Sequence, residues 1–260
     1  SITDLIKVEE HRYYEDFDHN ENTPYRQKSK DFGELDQKER EFKKQYDDTI
    51  KEIQFDCDWT ETSKDKYFTF LKKMKQLFAG KTISCTIRLY PFKYPQTAGV
   101  PPVDRGMLMC YNSGDIKDIK TVNSIFNKRE VLSYLDGKEY PLPLDAVLPV
   151  FSWALLYRGN KLENILSIDE LQGYYKEYLK KTGEKLVATK DFTYGDNHHS
   201  IYIREGDIIK YEETDMELVE AILPELKTKL GPGSTLAFYH VTKHAFDKHA
   251  EQIRKIFNSF

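Results

Sequence analysis

Near-continuous apolar segments recur along the chain and alternate with stretches of helical period, and this alternation restricts the fold more than any other feature. The segments are residues 52–59, 82–90, 103–112, 144–159 and 234–242. After the first of them, Tyr67, Phe70, Leu71, Met74, Leu77 and Phe78 recur at helical spacing, and Gly80 supplies a stop. Residues 119–135 and the closing run 244–260 read as further helices. Leu35, Phe42, Tyr46 and Ile50 predict another over 36–50. Strand–helix alternation with near-continuous apolar strands implies a parallel sheet covered by helices.

Residues 160–232 break this rhythm. The stretch 167–183 reads as helix. Residues 185–213 read as a pair of short alternating strands around a Gly-Asp-Asn turn, a hairpin. Residues 215–231 read as helix again. We expect a small α+β insertion over 160–232, between a first part at 1–159 and a last strand and helix at 233–260. A chain of 260 residues bounds the whole at one α/β barrel.

Charge narrows the partners. Lys and Arg number 39 against 43 Asp and Glu, a net charge of −4, which disfavours a general nucleic-acid binder. Aromatic residues at 13% argue for a packed core rather than a disordered chain. No apolar run is long enough to span a membrane. The opening SITDLIKVEE is already polar and charged, although a trimmed secreted protein would look the same. Cys57, Cys85 and Cys110 are too few for a disulfide framework, and they are expected as buried free thiols.

Function in parallel α/β sheets collects at the carboxyl ends of strands. The first strand ends in Asp56-Cys57-Asp58-Trp59, and alternation puts Gln54, Asp56 and Asp58 on one face. Two adjacent carboxylates repel unless a cation intervenes, and Arg88 on the next strand is placed to supply one. The competing reading is a helix cap and a structural ion pair. Tyr90, Tyr111, Asn112, Trp153, Arg158 and His240 end or follow the other strands. Aromatic rings and hydrogen-bonding groups around carboxylates suit a sugar ring, though aromatic side chains also fill cores. Asp196, His198 and His199 in the hairpin turn, and His240, His244 and His249 near the end, come without a motif such as H-E-x-x-H, so no metal site is expected. With no Gly-rich phosphate loop and no G-x-S-x-G elbow, no cofactor is expected either.

The order of these motifs resembles the family 18 glycoside hydrolases, the chitinase-like (β/α)8 barrels. FDCDWT is similar to the family's D-G-x-D-x-D-x-E on the fourth strand. Met109-Cys110-Tyr111-Asn112 is similar to the M-x-Y-D/N of the sixth, and LPVFSWALLYRG to the seventh. The insertion falls where many chitinases carry one. The resemblance covers roughly residues 36–260. It implies a TIM-type barrel, and a polysaccharide substrate, N-acetylated as in the family, in a cleft at the strand ends. Asp58 and Tyr111 would assist the substrate's own N-acetyl group as nucleophile, beside Asp56. Arg88, Tyr90, Asn112, Trp153, Arg158 and His240 would bind substrate. The family's acid position is occupied by Thr60, whose hydroxyl does not ionise usefully near neutral pH, so the catalytic acid is expected to be Glu61, one residue later, where the loop after Trp59 leaves strand geometry, or another carboxylate. The resemblance also implies a secreted, periplasmic or cell-surface location.

Three functions follow as alternatives: a glycoside hydrolase, a catalytically inactive carbohydrate-binding barrel, and an interaction or scaffold protein. About fifty residues precede the strand that resembles the fourth, and three βα units need roughly twice that. We therefore expect a barrel lacking its first two or three strands in this chain.

Overall fold

In the computed structural model, residues 50–137, 139–195 and 200–260 are described. The expected helix over 36–50 falls almost entirely outside them, as do Asp196, His198 and His199.

Five strands make a wholly parallel sheet. They are β1 (Glu52–Phe55), β2 (Thr82–Arg88), β3 (Arg105–Met109), β4 (Leu144–Pro149) and, after seven further strands, β12 (Leu236–Tyr239). Their order in space is β1-β2-β3-β4-β12, so each crossover returns the chain to the next position, as in one arc of a barrel. Eight parallel strands are not present among the described residues. The crossovers carry α1 (Lys64–Leu77), then the short α2 (Leu89–Lys93) and α3 (Pro95–Ala98), then α4 (Lys128–Leu135). In β2 and β4 successive residues are buried, Ile83 to Ile87 and Leu144 to Pro149, as expected of strands covered on both faces, whereas β3 alternates buried with half-buried positions.

The segment 144–159 is not one strand. It divides at Pro149, and β5 (Ser152–Arg158) enters a second, antiparallel sheet with β6 (Lys161–Leu166), β7 (Leu179–Thr182), β8 (Lys185–Ala188) and β11 (Ile208–Glu213), in the order β6-β5-β11-β8-β7. The junction is pinned from two sides. Val150 N donates to Tyr239 O at 2.8 Å, and Thr214 N donates to Phe151 O at 3.1 Å. β9 (Phe192–Gly195) and β10 (Ser200–Ile203) form a separate antiparallel pair.

Other boundaries contract. The first strand stops at Phe55, the second at Arg88, and Pro91 lies inside α2. Residues 167–183 form only α5 (Ile168–Leu171), a 3-10 turn and α6 (Tyr175–Tyr178) before pairing as β7. Sheet pairing overrides helix propensity there, because β7 completes the edge beside β8. Where residues 119–135 predict one helix, only Lys128–Leu135 is helical. The Asn123 side chain accepts from Ile125 N and Phe126 N, and Asn127 caps α4 by accepting from Glu130 N at 3.2 Å. After β11 come α7 (Met216–Glu220) and α8 (Leu223–Lys229), and α9 (Lys243–Ser259) follows β12.

Two of the three thiols are buried, but Cys57 is exposed. It lies two residues past the end of β1, an edge strand of the parallel sheet. Burial pushes the Cys85 and Cys110 thiols up to about 12.

Candidate functional site at the strand ends

The alternation read from the sequence persists past the last paired residue of β1. Gln54 Nε2 donates to Ser84 Oγ at 3.4 Å and Thr86 Oγ1 donates to Asp56 at 2.8 Å. Arg88 Nε faces Asp58 at 2.9 Å. Three side chains of one face thus meet three of the next strand in step, which parallel register requires. Arg88 also donates to Trp59 O at 2.8 Å. The opposite face turns to α1. Trp59 is buried, stacks on Tyr67, and donates its indole N–H to Ala98 O at 2.9 Å.

Tyr111 stands at the end of β3 between these acids and the last strand. Its ring lies nearly parallel to that of Tyr239 at 5.4 Å between centroids and edge-on to Phe151 at 6.0 Å. Burial raises the Tyr111 phenol well above its ordinary value, and the nearby Asp56, Tyr239 and Asp58 add to the rise. The phenol therefore stays protonated and can donate a hydrogen bond. Tyr239 is 47% exposed, so one face of this stack is open to solvent. Asn112, next along, takes a left-handed backbone with φ 51°, tolerable for Asn.

Beside the stack lies a cleft of about 390 Å³. Asn112, Phe151, Trp153, Tyr239 and His240 line one part of it, and Ile165 and Ile168 from the antiparallel region line another. His240 stacks on Phe151 at 5.7 Å, and Phe151 meets Trp153 edge-on at 5.3 Å. The arrangement is a row of aromatic faces leading from a carboxylate pair into an open groove, with Asn112, Ser152 and Thr242 as polar contacts.

Asp56, Asp58, Arg88 and Tyr111 come together, while Asn112, Trp153 and His240 line the adjoining cleft. Three candidates do not join them. Arg158 sits at the far end of β5 in a two-pronged contact with Asp207, at 3.1 and 2.8 Å, and it also reaches Glu163. The long strand that would have carried it to the cleft divides at Pro149, so its guanidinium serves the second sheet. Tyr90 belongs to α2 and packs against Tyr94 at 5.0 Å. Glu61 is exposed in the turn before α1. Thr60 belongs to that turn as well: its hydroxyl bonds those of Thr62 and Ser63, and its carbonyl accepts from Ser63 N and Lys64 N.

From sequence, Tyr239 is only the alternative to Phe238 and His240 on the last strand, and Glu212 is not singled out. Tyr239 alternates with Phe238, which packs on Phe257 of α9, so alternation on β12 was the available signal. Glu212 had none: it sits in a polar strand end, IIKYEE, that reads as solvated.

No family model matches the chain, and no curated protein matches it. Among solved structures, the chain is similar to the spore cortex-lytic enzyme SleL of Bacillus cereus. The TM-score is 0.40 at 14% identity, over 81% of this chain and 52% of that one. It is also similar to a glycoside hydrolase family 18 N-acetylglucosaminidase of Paenibacillus barengoltzii. There the TM-score is 0.36 at 10% identity, over 80% of this chain and 70% of that one. The chain spans about half the length of SleL.

Proposed function

We propose that this protein is glycoside hydrolase-like and takes a polysaccharide along the aromatic row at the strand ends, with its chemistry centred on Asp56, Asp58 and Tyr111. The observation that carries the reading is the juxtaposition of the Tyr111–Tyr239 stack with two carboxylates and an aromatic cleft. Sugar rings present C–H faces to aromatic rings, and their hydroxyls bond to carboxylates and amides. In this reading Asp58 is held in place by Arg88, and the Tyr111 phenol donates to the reacting sugar. Asp56, fixed by Thr86, sets the charge between them.

The test uses chitohexaose and cellohexaose as probes, with product release followed by chromatography. Asp58→Asn is expected to lower turnover of the accepted probe by roughly 10²- to 10⁴-fold, with cooperative unfolding retained. Turnover equal to wild type in that variant would sink the catalytic assignment.

A second reading, binding without hydrolysis, is favoured by one observation. The hydroxyl at the family's acid position is bonded within its own turn. This reading expects saturable binding of chitohexaose with no product after long incubation. It also expects Thr60→Glu to introduce slow turnover.

A further inference from the structure

Beneath the cleft lies a buried polar cluster that the catalytic reading does not use. Trp153 and Glu212 are direct partners in the β5–β11 register. Glu212 is 2% exposed, and its Oε2 accepts from three donors: the Trp153 indole N–H at 3.0 Å, Ser124 N at 2.9 Å and the Ser124 hydroxyl. Its Oε1 meets Lys210 Nζ at 2.5 Å, and Lys210 donates onward to Thr121 O. Beside it, Asn123 Nδ2 donates to Glu213 O at 2.7 Å.

The consequence reaches the cleft by two routes. Trp153 is one of its walls and is held directly. Asn112 is another: its N–H donates at 2.7 Å to Ile125 O, the residue after Ser124. Among the ties between the antiparallel sheet and the loop after β3, which include Asn123 to Glu213 O and Lys210 to Thr121 O, the Glu212 carboxylate is the one that also holds Trp153. Burying a charge is costly, so a cluster of this kind is weak evidence for added stability. A fully satisfied polar network does fix geometry, which a sugar-stacking wall needs.

We propose that Glu212 is a positioning residue, holding Trp153 and the Ser124–Asn112 segment as the two walls of the cleft. That saccharide is what the walls receive rests on the function proposed above; the positioning itself does not.

The test separates the carboxylate's acceptor role from the ion pair. Lys210→Met/Glu212→Gln and Lys210→Met/Glu212→Leu both abolish the pair. Only the first keeps an oxygen where Trp153 and Ser124 donate. Each is made in a Trp59→Phe background, which leaves Trp153 as the sole tryptophan. Acrylamide quenching of Trp153 is expected to rise severalfold in the Leu variant and to stay near the parent in the Gln variant. The Leu variant is expected to bind chitohexaose roughly tenfold more weakly, which corresponds to about 1.4 kcal/mol. Equal quenching in the two variants would overturn the inference, whatever the saccharide does. If the parent binds neither chitohexaose nor cellohexaose, the carbohydrate reading fails, and the quenching comparison still decides the positioning role. Should the Leu variant not fold, Trp153→Phe offers the cleft a ring that cannot donate to Glu212. Chitohexaose affinity equal to wild type in that variant would also overturn the inference.

Discussion

Asp145 joins three strands at the end of the parallel sheet opposite the site. It is 3% exposed, and it accepts from Arg105 at 2.7 Å and from Thr235 N at 2.6 Å. Removing one member of such a pair strands the other, which costs more than the pair contributes as a unit. Arg105 keeps about a quarter of its side chain exposed, and water relieves part of that cost. Asp145→Ala is expected to lower stability by about 3 kcal/mol in urea unfolding, the low end for a buried pair. A loss below about 1 kcal/mol would class it with surface pairs. At this scale Asp56 and Asp58 were legible, because alternation assigns a face without tertiary knowledge. The place of Arg158 was not legible, since it depends on where a long apolar run divides.

Elements obey close packing, and Gly106 in β3 shows how tightly. A Cβ added there would lie 2.2 Å from Ile87 Cδ1 and 3.2 Å from Leu144 Cδ2, in the strands on either side. Ile87 is fully buried, so its methyl has little room to retreat. Gly106→Ala is expected to cost about 2 kcal/mol by overpacking, read as a fall in the urea midpoint with an unchanged slope. A neutral result would mean that β2 and β3 shift apart freely. The parallel strands were readable as near-continuous apolar runs, and α1 from its helical period. The short helical turns near residue 170 and strand β7 were not, because only pairing with β8 selects strand over helix there.

At the scale of the whole molecule, two neighbouring acids tie the antiparallel sheet to the rest. Burial opposes ionisation of Glu212, but hydrogen bonds from Lys210, Ser124 and Trp153 outweigh it and hold its carboxyl below the usual range. Glu213 is lowered as well: burial again opposes, and Lys248 of α9, at 2.5 Å, prevails with help from Tyr211 and His249. A carboxyl depressed in the folded state adds stability above its unfolded value, near 4.3, and loses it as pH falls. Unfolding free energy is therefore expected to fall as pH drops below about 4.3, and to fall less steeply in Lys210→Met/Glu212→Gln. A urea series across this range checks it, and identical slopes for both proteins would place the acid sensitivity elsewhere.

By itself the sequence determined a parallel sheet under helices, the face on which Asp56 and Asp58 lie, and the hydroxyl at position 60. Each follows from a local period or a single side chain's chemistry. The tertiary structure alone decided that residues 144–159 serve two sheets, that Tyr239 stacks on Tyr111, and that Glu212 is buried under Trp153. Those outcomes depend on which distant segments cover a surface, and the burial of a polar face is not written in its own residues.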